Sequence, residues 1–373
     1  MDAQELLKLL DNNNTQPTKQ AENTADSVEI NGVSIPEPFV LSDIWNTEIK
    51  LAPERIGGVL RQGHKMILTA PSKAGKTFCM MELAVAIASG GEWLGFQCSK
   101  GKVLYVNFEL SAESCYSRFL KIGTALKLTS KDAENITVWN LRGYNVPFEH
   151  LALNLAVKVK GAQIDLVILD PIYKCFSGSE NEQEAVTRFC NCVDLIAEAG
   201  ASVIYTHHHS KGIQGNKSSI DRGSGSGVFA RDADAILDMI EVNLPGERQI
   251  DPNSPNVTAW QLEGVLREFA PFKPKKLYFR YPLHVVCNDG ALDDAKPRTS
   301  NQRGGNARGA QMQTKKAKNM QDFLKAFDEM SADLQPVKIK ALADCIGVDD
   351  KTARRYAADI GGFVISQGTI KRV

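Results

Sequence analysis

The sequence lacks the features that mark several broad classes of protein. Its 44 Lys and Arg residues balance 44 Asp and Glu residues, so no overall positive charge indicates a nucleic-acid partner. The 8 cysteines include no Cys-x-x-Cys pair and no spacing typical of a zinc site. We therefore expect reduced, mostly buried thiols of the kind found in cytosolic proteins.

Signals for membrane insertion or export are also lacking. The most apolar helical segment, residues 79–88, contains Glu82 and is too short to span a bilayer. No signal-peptide pattern begins the sequence. We expect a soluble, cytoplasmic protein without a membrane partner, and 373 residues suffice for one large core and a smaller domain.

A phosphate-binding loop is the most informative stretch that the sequence does contain. An apolar run at residues 66–69 precedes it and a helical pattern from Phe78 to Ser89 follows, which is the context that such a loop requires. The alternative is an ordinary Gly-Lys turn. The residues that we expect to bind the polyphosphate of ATP are Ala70, Ser72, Lys73, Ala74, Gly75, Lys76, Thr77 and Phe78.

The residue types in this loop fit phosphate chemistry. Gly75 lets the backbone approach the phosphates without a Cβ in the way, and the amides of the first helical turn favour a polyanion. Lys76 would neutralise the β- and γ-phosphates, and the Thr77 hydroxyl would ligate Mg²⁺. Ala70 stands where such loops have their first Gly, and Pro71 has no amide to donate. Since Ala also makes a turn with negative φ, we interpret the loop as a variant that still binds phosphate.

Two further predicted strands end in acids. Residues 102–109 end in Glu109, and the continuous aliphatic run at 165–170, typical of a strand buried on both faces of a parallel sheet, ends in Asp170. We expect Glu109 to activate the attacking water and Asp170 to orient Mg²⁺. For Glu109 alone, the alternative is a solvated loop acid.

A third predicted strand, residues 201–209, ends in three histidines. Adjacent residues on a strand face opposite ways, so the three side chains cannot chelate one metal together. Ligands of parallel α/β sheets bind at the carboxyl ends of the strands. We therefore expect His207 to sense the γ-phosphate.

The following segment completes the predicted core. A Gly-, Ser- and Lys-rich loop at residues 210–228 could close over a phosphate backbone or could be a solvated connection, and the sequence leaves both open. A further predicted strand, residues 260–267, ends on Arg267. Strands that alternate with helices predict an α/β core with a predominantly parallel sheet. The loop residues that would contact nucleic acid are Lys211, Lys217 and Arg222.

The sequence divides into four segments. We expect a disordered tail at residues 1–34, the α/β core at 35–287, a basic flexible linker at 288–316 and a small domain at 317–373. From Lys296 to Lys318 there are seven basic residues and no acidic one.

The last segment predicts a helix-turn-helix with a hairpin wing. A short helix is followed by a tight turn at Gly347, and Asp349 caps a second helix. Residues 363–373 alternate around Gln367-Gly368, which is typical of a hairpin. We expect a winged-helix-like domain that binds DNA, with a protein-docking domain as the alternative. The basic residues on the second helix are Lys351, Arg354 and Arg355.

Over residues 40–285 these motifs together resemble the RecA-like P-loop NTPase core of RepA-type plasmid replicative helicases, and more distantly that of DnaB-type helicases. Gly75-Lys76-Thr77 resembles the Walker A motif of that family, and residues 165–170 resemble Walker B. Glu109 and Arg118 match the catalytic glutamate and the arginine nine residues later. His207-His208 is similar to the RepA motif at the end of the sensor strand.

The resemblance implies a function and a set of partners. In this family ATP lies between subunits and a neighbour's basic residue reaches the γ-phosphate; Arg267 matches that position best, with Arg118 as the other residue that could complete charge neutralisation. The implied protein is a Mg²⁺- and ATP-dependent helicase that forms a homo-oligomeric ring, a hexamer, with single-stranded DNA bound by the core and duplex DNA by the C-terminal domain. Two alternatives stay open: a non-translocating DNA-binding regulator or recombination accessory protein, and a signalling ATPase with no nucleic-acid partner.

Overall fold

The computed structural model describes residues 27–30, 33–38, 40–176, 182–209, 228–243, 257–297, 320–332 and 336–372. The chain forms two compact units, Met1–Arg298 and Thr299–Val373. The phosphate loop and the strands predicted around it belong to the first unit.

Nine of the strands described in the first unit form its central sheet. The strands described in this unit are β1 (Ser27–Ile30), β2 (Val33–Pro36), β3 (Glu54–Ile56), β4 (Leu60–Arg61), β5 (Lys65–Ala70), β6 (Glu92–Trp93), β7 (Phe96–Gln97), β8 (Val103–Asn107), β9 (Ile136–Asn140), β10 (Leu166–Asp170), β11 (Ser202–His208), β12 (Ala235–Glu241), β13 (Thr258–Leu266), β14 (Lys275–Arg280) and β15 (Leu283–Val286). The order in the sheet is β15-β14-β13-β12-β5-β11-β10-β8-β9. The pairings from β12 across to β9 are parallel, and those from β12 back to β15 are antiparallel.

Helices cover both faces of this sheet. They are α1 (Lys76–Ser89), α2 (Ala112–Ala125), α3 (Ser130–Ala133), α4 (Phe148–Ala162), α5 (Gln183–Glu198) and α6 (Val228–Asp232). In β10, Leu166 and Ile168 pack in the core that contains α1, whereas Val167 and Leu169 pack in the core that contains α4 and α5. The prediction of a strand buried on both faces is therefore confirmed for β10.

The parallel order ends at β12, because β13, β14 and β15 each run antiparallel to the strand before them. Residues 267–274 connect β13 to β14, and two residues connect β14 to β15. These connections are too short for the crossover helix that parallel neighbours need. The sheet is mostly parallel at its centre, as predicted, and antiparallel along one edge, which the sequence did not indicate.

The boundaries of the first unit differ from those predicted for the α/β core. β1 lies inside the predicted tail and β2 crosses its end, and the two strands pair antiparallel. Asn31-Gly32, a pair typical of tight hairpins, separates them in the sequence. At the other border, Leu292 and Ala295 are buried with Val242 and Ala259 of the sheet region. The first residues of the predicted linker therefore pack on the core.

The described residues of the second unit form three helices and a small sheet. The helices are α7 (320–331), α8 (Ile339–Cys345) and α9 (Asp350–Ile360), and the strands β16 (Val337–Lys338), β17 (Phe363–Ser366) and β18 (Thr369–Arg372) pair in the order β16-β18-β17. Asp349 caps α9 through the Thr352 amide at 2.7 Å, as predicted. Gln367 and Gly368 both have positive φ, which the tight turn between β17 and β18 requires.

Across the described residues of both units, no helix is long and apolar enough to cross a membrane.

Candidate nucleotide-binding site

The phosphate loop connects β5 to α1 at the carboxyl edge of the parallel strands. β5 ends at Ala70, and α1 begins at Lys76. Gly75 is the N-cap of α1 with φ of 86°, a conformation that favours glycine, and it brings no side chain to bond the first amides of the helix. Those amides are therefore left to a ligand, and the residues present fit a polyphosphate.

Lys76 is buried at the centre of the loop. Its Nζ donates to the carbonyl oxygens of Ala70 and Pro71, each at 2.9 Å. Burial lowers the pKa of Lys76 to about 8, and the nearby carboxylates of Asp170 and Glu109 act in the opposite direction. The lysine thus lies within electrostatic reach of acids from two neighbouring strands.

His208, and not His207, is the histidine at the loop. The Nδ1 of His208 lies 2.9 Å from the Nζ of Lys76 and 3.3 Å from the Oγ of Ser72. His207 is buried on the opposite face of β11, where its ring lies 4.8 Å from that of Phe229. Side chains alternate along the strand, so only one of the two can face the loop, and the structure places His208 there instead of the expected His207.

The third histidine has a different partner again. The Nε2 of His209 lies 2.6 Å from an Oδ1 of Asp238, which also accepts from the Thr69 hydroxyl at 2.6 Å. Asp238 lies in β12 and is fully buried. The hydrogen bond from His209 therefore links the end of β11 to β12. The three histidines therefore do not converge.

Asp170 ends β10 and is held by two hydroxyl groups. The Tyr105 hydroxyl donates to Oδ2 and the Thr206 hydroxyl to Oδ1, both at 2.6 Å. Burial, followed by the charge of Asp170, raises the pKa of Tyr105 well above its usual range. Together these bonds fix the carboxylate, and its remaining lone pairs are hard oxygen ligands of the kind that Mg²⁺ prefers.

Glu109 lies two residues beyond the end of β8. The Asn107 side chain accepts from the amides of Glu109 and Leu110, at 3.2 and 2.9 Å, which fixes the turn. The Tyr173 hydroxyl donates to Glu109, and burial together with this carboxylate raises the pKa of Tyr173. Glu109 is exposed, so it stays accessible to solvent beside the loop.

Aromatic and cationic side chains cluster where α1 begins. The Phe78 ring lies 5.5 Å from Phe279 and 5.3 Å from Tyr281. The Arg118 guanidinium lies 4.8 Å from the centre of the Phe78 ring. Lys121 donates to the Tyr281 hydroxyl at 3.1 Å. Phe78 and Arg118, both predicted from the sequence, are thus brought together, while the aromatic residues of the β14–β15 hairpin were not predicted.

A buried pair, Glu82 and His284, also adjoins the loop and had no sequence signal. Glu82 lies in α1, less than two turns beyond its start, and the His284 Nδ1 lies 2.8 Å from its Oε1. A Cβ on Gly75 would lie 3.2 Å from the imidazole ring. Only the tertiary fold brings these residues together, because they are 202 positions apart.

Arg267 lies at the opposite edge of the sheet from the loop. β13 runs antiparallel to β12, and Leu266 pairs with Ala235 at the amino end of β12. There the Arg267 guanidinium bonds to Asp234 Oδ1 at 2.8 Å and to the Arg231 carbonyl at 2.7 Å. The Arg267 side chain therefore cannot reach the phosphate loop of its own subunit. Its contact with the site of a neighbouring subunit stays a prediction.

The predicted nucleic-acid residues fall in two places. Lys351, Arg354 and Arg355 are exposed on α9, and Arg354 also pairs with Asp350 at 2.7 Å. The other three, Lys211, Lys217 and Arg222, lie outside the described residues.

A comparison with protein families agrees with this geometry. Residues 36–214 match the family model described as an AAA domain, a span that includes the phosphate loop, β8, β10 and β11. This similarity supports a nucleotide-binding P-loop ATPase. No curated protein matches the chain.

Proposed function

We propose that the chain is a Mg²⁺- and ATP-dependent ATPase that acts on DNA, as a RepA-like ring helicase of a plasmid or other mobile element. One observation carries the ATPase assignment: Glu109, which follows β8, and Asp170, which ends β10, lie at the same edge of the parallel sheet as the lysine of a helix-initiating phosphate loop. Both carboxylates favour the charged form of that lysine. Because phosphoryl transfer depends on positioning and on charge stabilisation, this convergence of opposite charges is the arrangement that ATP hydrolysis needs.

Each residue has a proposed task. Lys76 and the amides of α1 bind the phosphates, and Thr77 with Asp170 would hold Mg²⁺. The metal, when bound, neutralises charge that develops on the phosphate oxygens. Glu109 accepts a proton from the attacking water and is oriented by Tyr173.

Metal binding by protein atoms alone is not expected. The described residues contain no cluster of three or more His, Cys, Asp or Glu side chains suited to a metal. Mg²⁺ in nucleotide sites is commonly held by one or two protein oxygens together with substrate phosphates, and Thr77 and Asp170 supply that number.

We propose that His208, rather than His207, senses the γ-phosphate. His208 contacts both Lys76 and Ser72, so a phosphate that draws Lys76 away would alter the bonding at the end of β11. Residues 210–228, the loop proposed to bind DNA, come after this strand end in the chain. A change in bonding at the end of β11 would therefore be passed on to that loop.

The remaining nucleotide contacts follow from the aromatic cluster. Phe78 and Tyr281 offer apolar ring surface beside the first turn of α1, and Arg118 adds a positive charge. A purine base suits such a surface, because aromatic rings and guanidinium groups stack on its faces. Arg118 is therefore proposed for charge neutralisation within the subunit, and Arg267 for contact across a subunit boundary.

The DNA assignment rests on the second unit. Three helices with a three-stranded sheet that ends in a β-hairpin are the components of a winged helix, and α9 exposes Lys351 and Arg355. We propose that this unit binds duplex DNA. The same unit supports the rival proposal of a regulator that binds a DNA site without moving along it.

ATP hydrolysis with and without single-stranded DNA, at two salt concentrations, tests these proposals. A helicase predicts stimulation that fades with salt, because phosphate contacts release counterions, and ATP-driven strand displacement. Hydrolysis without unwinding, combined with site-specific duplex binding, would favour the regulator, and hydrolysis indifferent to all DNA would favour a signalling ATPase.

Matched variants make the test specific. Lys76→Ala should abolish hydrolysis, whereas Lys131→Ala, which removes an exposed lysine of α3, should not. Normal hydrolysis by Lys76→Ala would refute the ATPase site. Mass measurement in the presence of ATP tests the proposed hexamer separately.

A further inference from the structure

The Glu82–His284 pair is buried beside the phosphate loop and has no part in the mechanism above. Glu82 is 4% exposed, and the His284 side chain is inaccessible to solvent. The backbone amide of His284 donates to both carboxylate oxygens, at 3.1 and 3.2 Å, and its Nδ1 lies 2.8 Å from Oε1. Three contacts to one carboxylate hold the imidazole in a single orientation.

That orientation leaves the second ring nitrogen facing away from Glu82. Which nitrogen of a histidine is available is set by the hydrogen bond that the other one makes, here from Nδ1 to Glu82. The Nε2 of His284 is buried and has no hydrogen-bond partner among the described residues. A buried polar atom without a hydrogen-bond partner lowers the stability of the fold, so we infer that a ligand supplies the partner.

The free nitrogen lies at the phosphate loop. A Cβ on Gly75 would lie 3.2 Å from both Nε2 and Cε1 of His284. Since Gly75 is the loop residue that caps α1, Nε2 adjoins the segment whose amides would bind the phosphates. The Phe279 ring, 4.6 Å from the imidazole, covers the pair from another direction.

We propose that His284 is a further binding residue of the nucleotide site, and that its Nε2 donates a hydrogen bond to the phosphate chain at Gly75 while Glu82 holds the ring. In this complex both ring nitrogens donate, and the Glu82 carboxylate balances the positive charge of the ring. The inference rests on the proposed nucleotide site and is independent of any action on DNA.

Two substitutions of His284 separate its two nitrogen atoms. His284→Asn keeps an amide near the position of Nδ1, where it can bond to Glu82, and leaves nothing at the position of Nε2. His284→Gln places an amide nitrogen near the position of Nε2 instead. The full chain and both variants are titrated with Mg-ATP by calorimetry, and the melting temperature of each is measured in parallel.

We expect His284→Asn to weaken ATP binding about tenfold or more, the loss typical of one hydrogen bond to a charged group. His284→Gln should retain most of the affinity, even where it melts at a lower temperature. The rate at saturating ATP should change less than the dissociation constant, because the contact is present in the ground state. Inosine triphosphate should show the same loss as ATP, since the contact is to phosphate.

Other outcomes overturn the proposal. ATP binding by His284→Asn as tight as that of the unaltered chain, or affinities that follow melting temperature in both variants, would make the pair purely structural. A loss seen with ATP and not with inosine triphosphate would place the contact on the base. Failure of the folded, unaltered chain to bind ATP would refute the nucleotide site itself, so the two failures are distinguishable.

Discussion

The Nζ of Lys76 and the Nδ1 of His208 lie 2.9 Å apart. An ammonium group has only hydrogen-bond donors, so Nδ1 is the acceptor and a neutral His208 carries its proton on Nε2. The contact joins the last residue of β11 to the first residue of α1. The lysine expected to bind phosphate is thus already tied to the strand that leads into residues 210–228.

This contact predicts different effects for neighbouring histidines. His208→Ala should lower the hydrolysis rate by about tenfold to a hundredfold with little change in melting temperature, because it removes a partner of Lys76 at the surface of the site. His207→Ala should mainly destabilise the fold, by about 1–3 kcal/mol, because His207 is buried against Phe229. Steady-state kinetics and thermal unfolding of both variants check this. Equally slowed hydrolysis with equal stability would contradict it.

The lowered pKa of Lys76 predicts a pH dependence of stability. The folded chain loses the Lys76 proton near pH 8, whereas the unfolded chain keeps it to about pH 10.5. Between these values the unfolded state binds more protons, so this residue adds stability as pH rises through the window, and the contribution is lost as pH falls through 8.

Comparison with Lys76→Met isolates the effect. Without nucleotide, the unfolding free energy of the unaltered chain should rise relative to that of Lys76→Met between pH 8 and 10, by about 2–3 kcal/mol at most. Denaturant unfolding at pH 7, 8, 9 and 10 measures the difference. A difference that is flat with pH would mean that Lys76 keeps an ordinary pKa in the folded chain.

Two buried tyrosines predict different effects on stability when their hydroxyl groups are removed. Tyr105 donates to Asp170, so Tyr105→Phe leaves a buried carboxylate with one bond fewer and should cost about 1–3 kcal/mol of stability and lower hydrolysis. The Tyr205 hydroxyl has no partner among the described residues, so Tyr205→Phe should be neutral or stabilising. Both side chains are fully buried, which makes Tyr205 a matched control. Equal destabilisation by the two changes would contradict the role of Asp170 as an acceptor.

The exposed basic residues of α9 predict salt-dependent DNA binding. Lys351→Glu and Arg355→Glu should weaken duplex binding, and each should reduce the slope of log affinity against log salt concentration by about one unit if its side chain neutralises one phosphate. Lys325→Glu on α7, an exposed lysine outside α9, serves as the control. Fluorescence anisotropy at several salt concentrations measures this. Unchanged DNA affinity in both α9 variants would favour the protein-docking alternative for this unit.

The strands and helices of the core were largely predictable, because their signals are local. The aliphatic run that ends in Asp170 forms β10, and Ser111 caps α2 through the Ser114 amide at 3.3 Å. Gly75, which the sequence places just before Lys76 in the loop, is the N-cap of α1. In each case a few consecutive residues specify the local structure, so it can be predicted without knowledge of tertiary contacts.

The sequence by itself thus determined the phosphate loop, the acid just beyond β8, the acid that ends β10 and the hairpin at Gln367-Gly368, since spacing and turn chemistry fix all of them. The tertiary structure decided which of two adjacent histidines faces Lys76, because that depends on how β11 is registered against β5. It also decided that β13 runs antiparallel to β12, which places Arg267 at the edge of the sheet opposite the phosphate loop. Above all it brought His284 to Glu82 and Gly75, a contact between distant residues that only the packing of β15 on α1 creates.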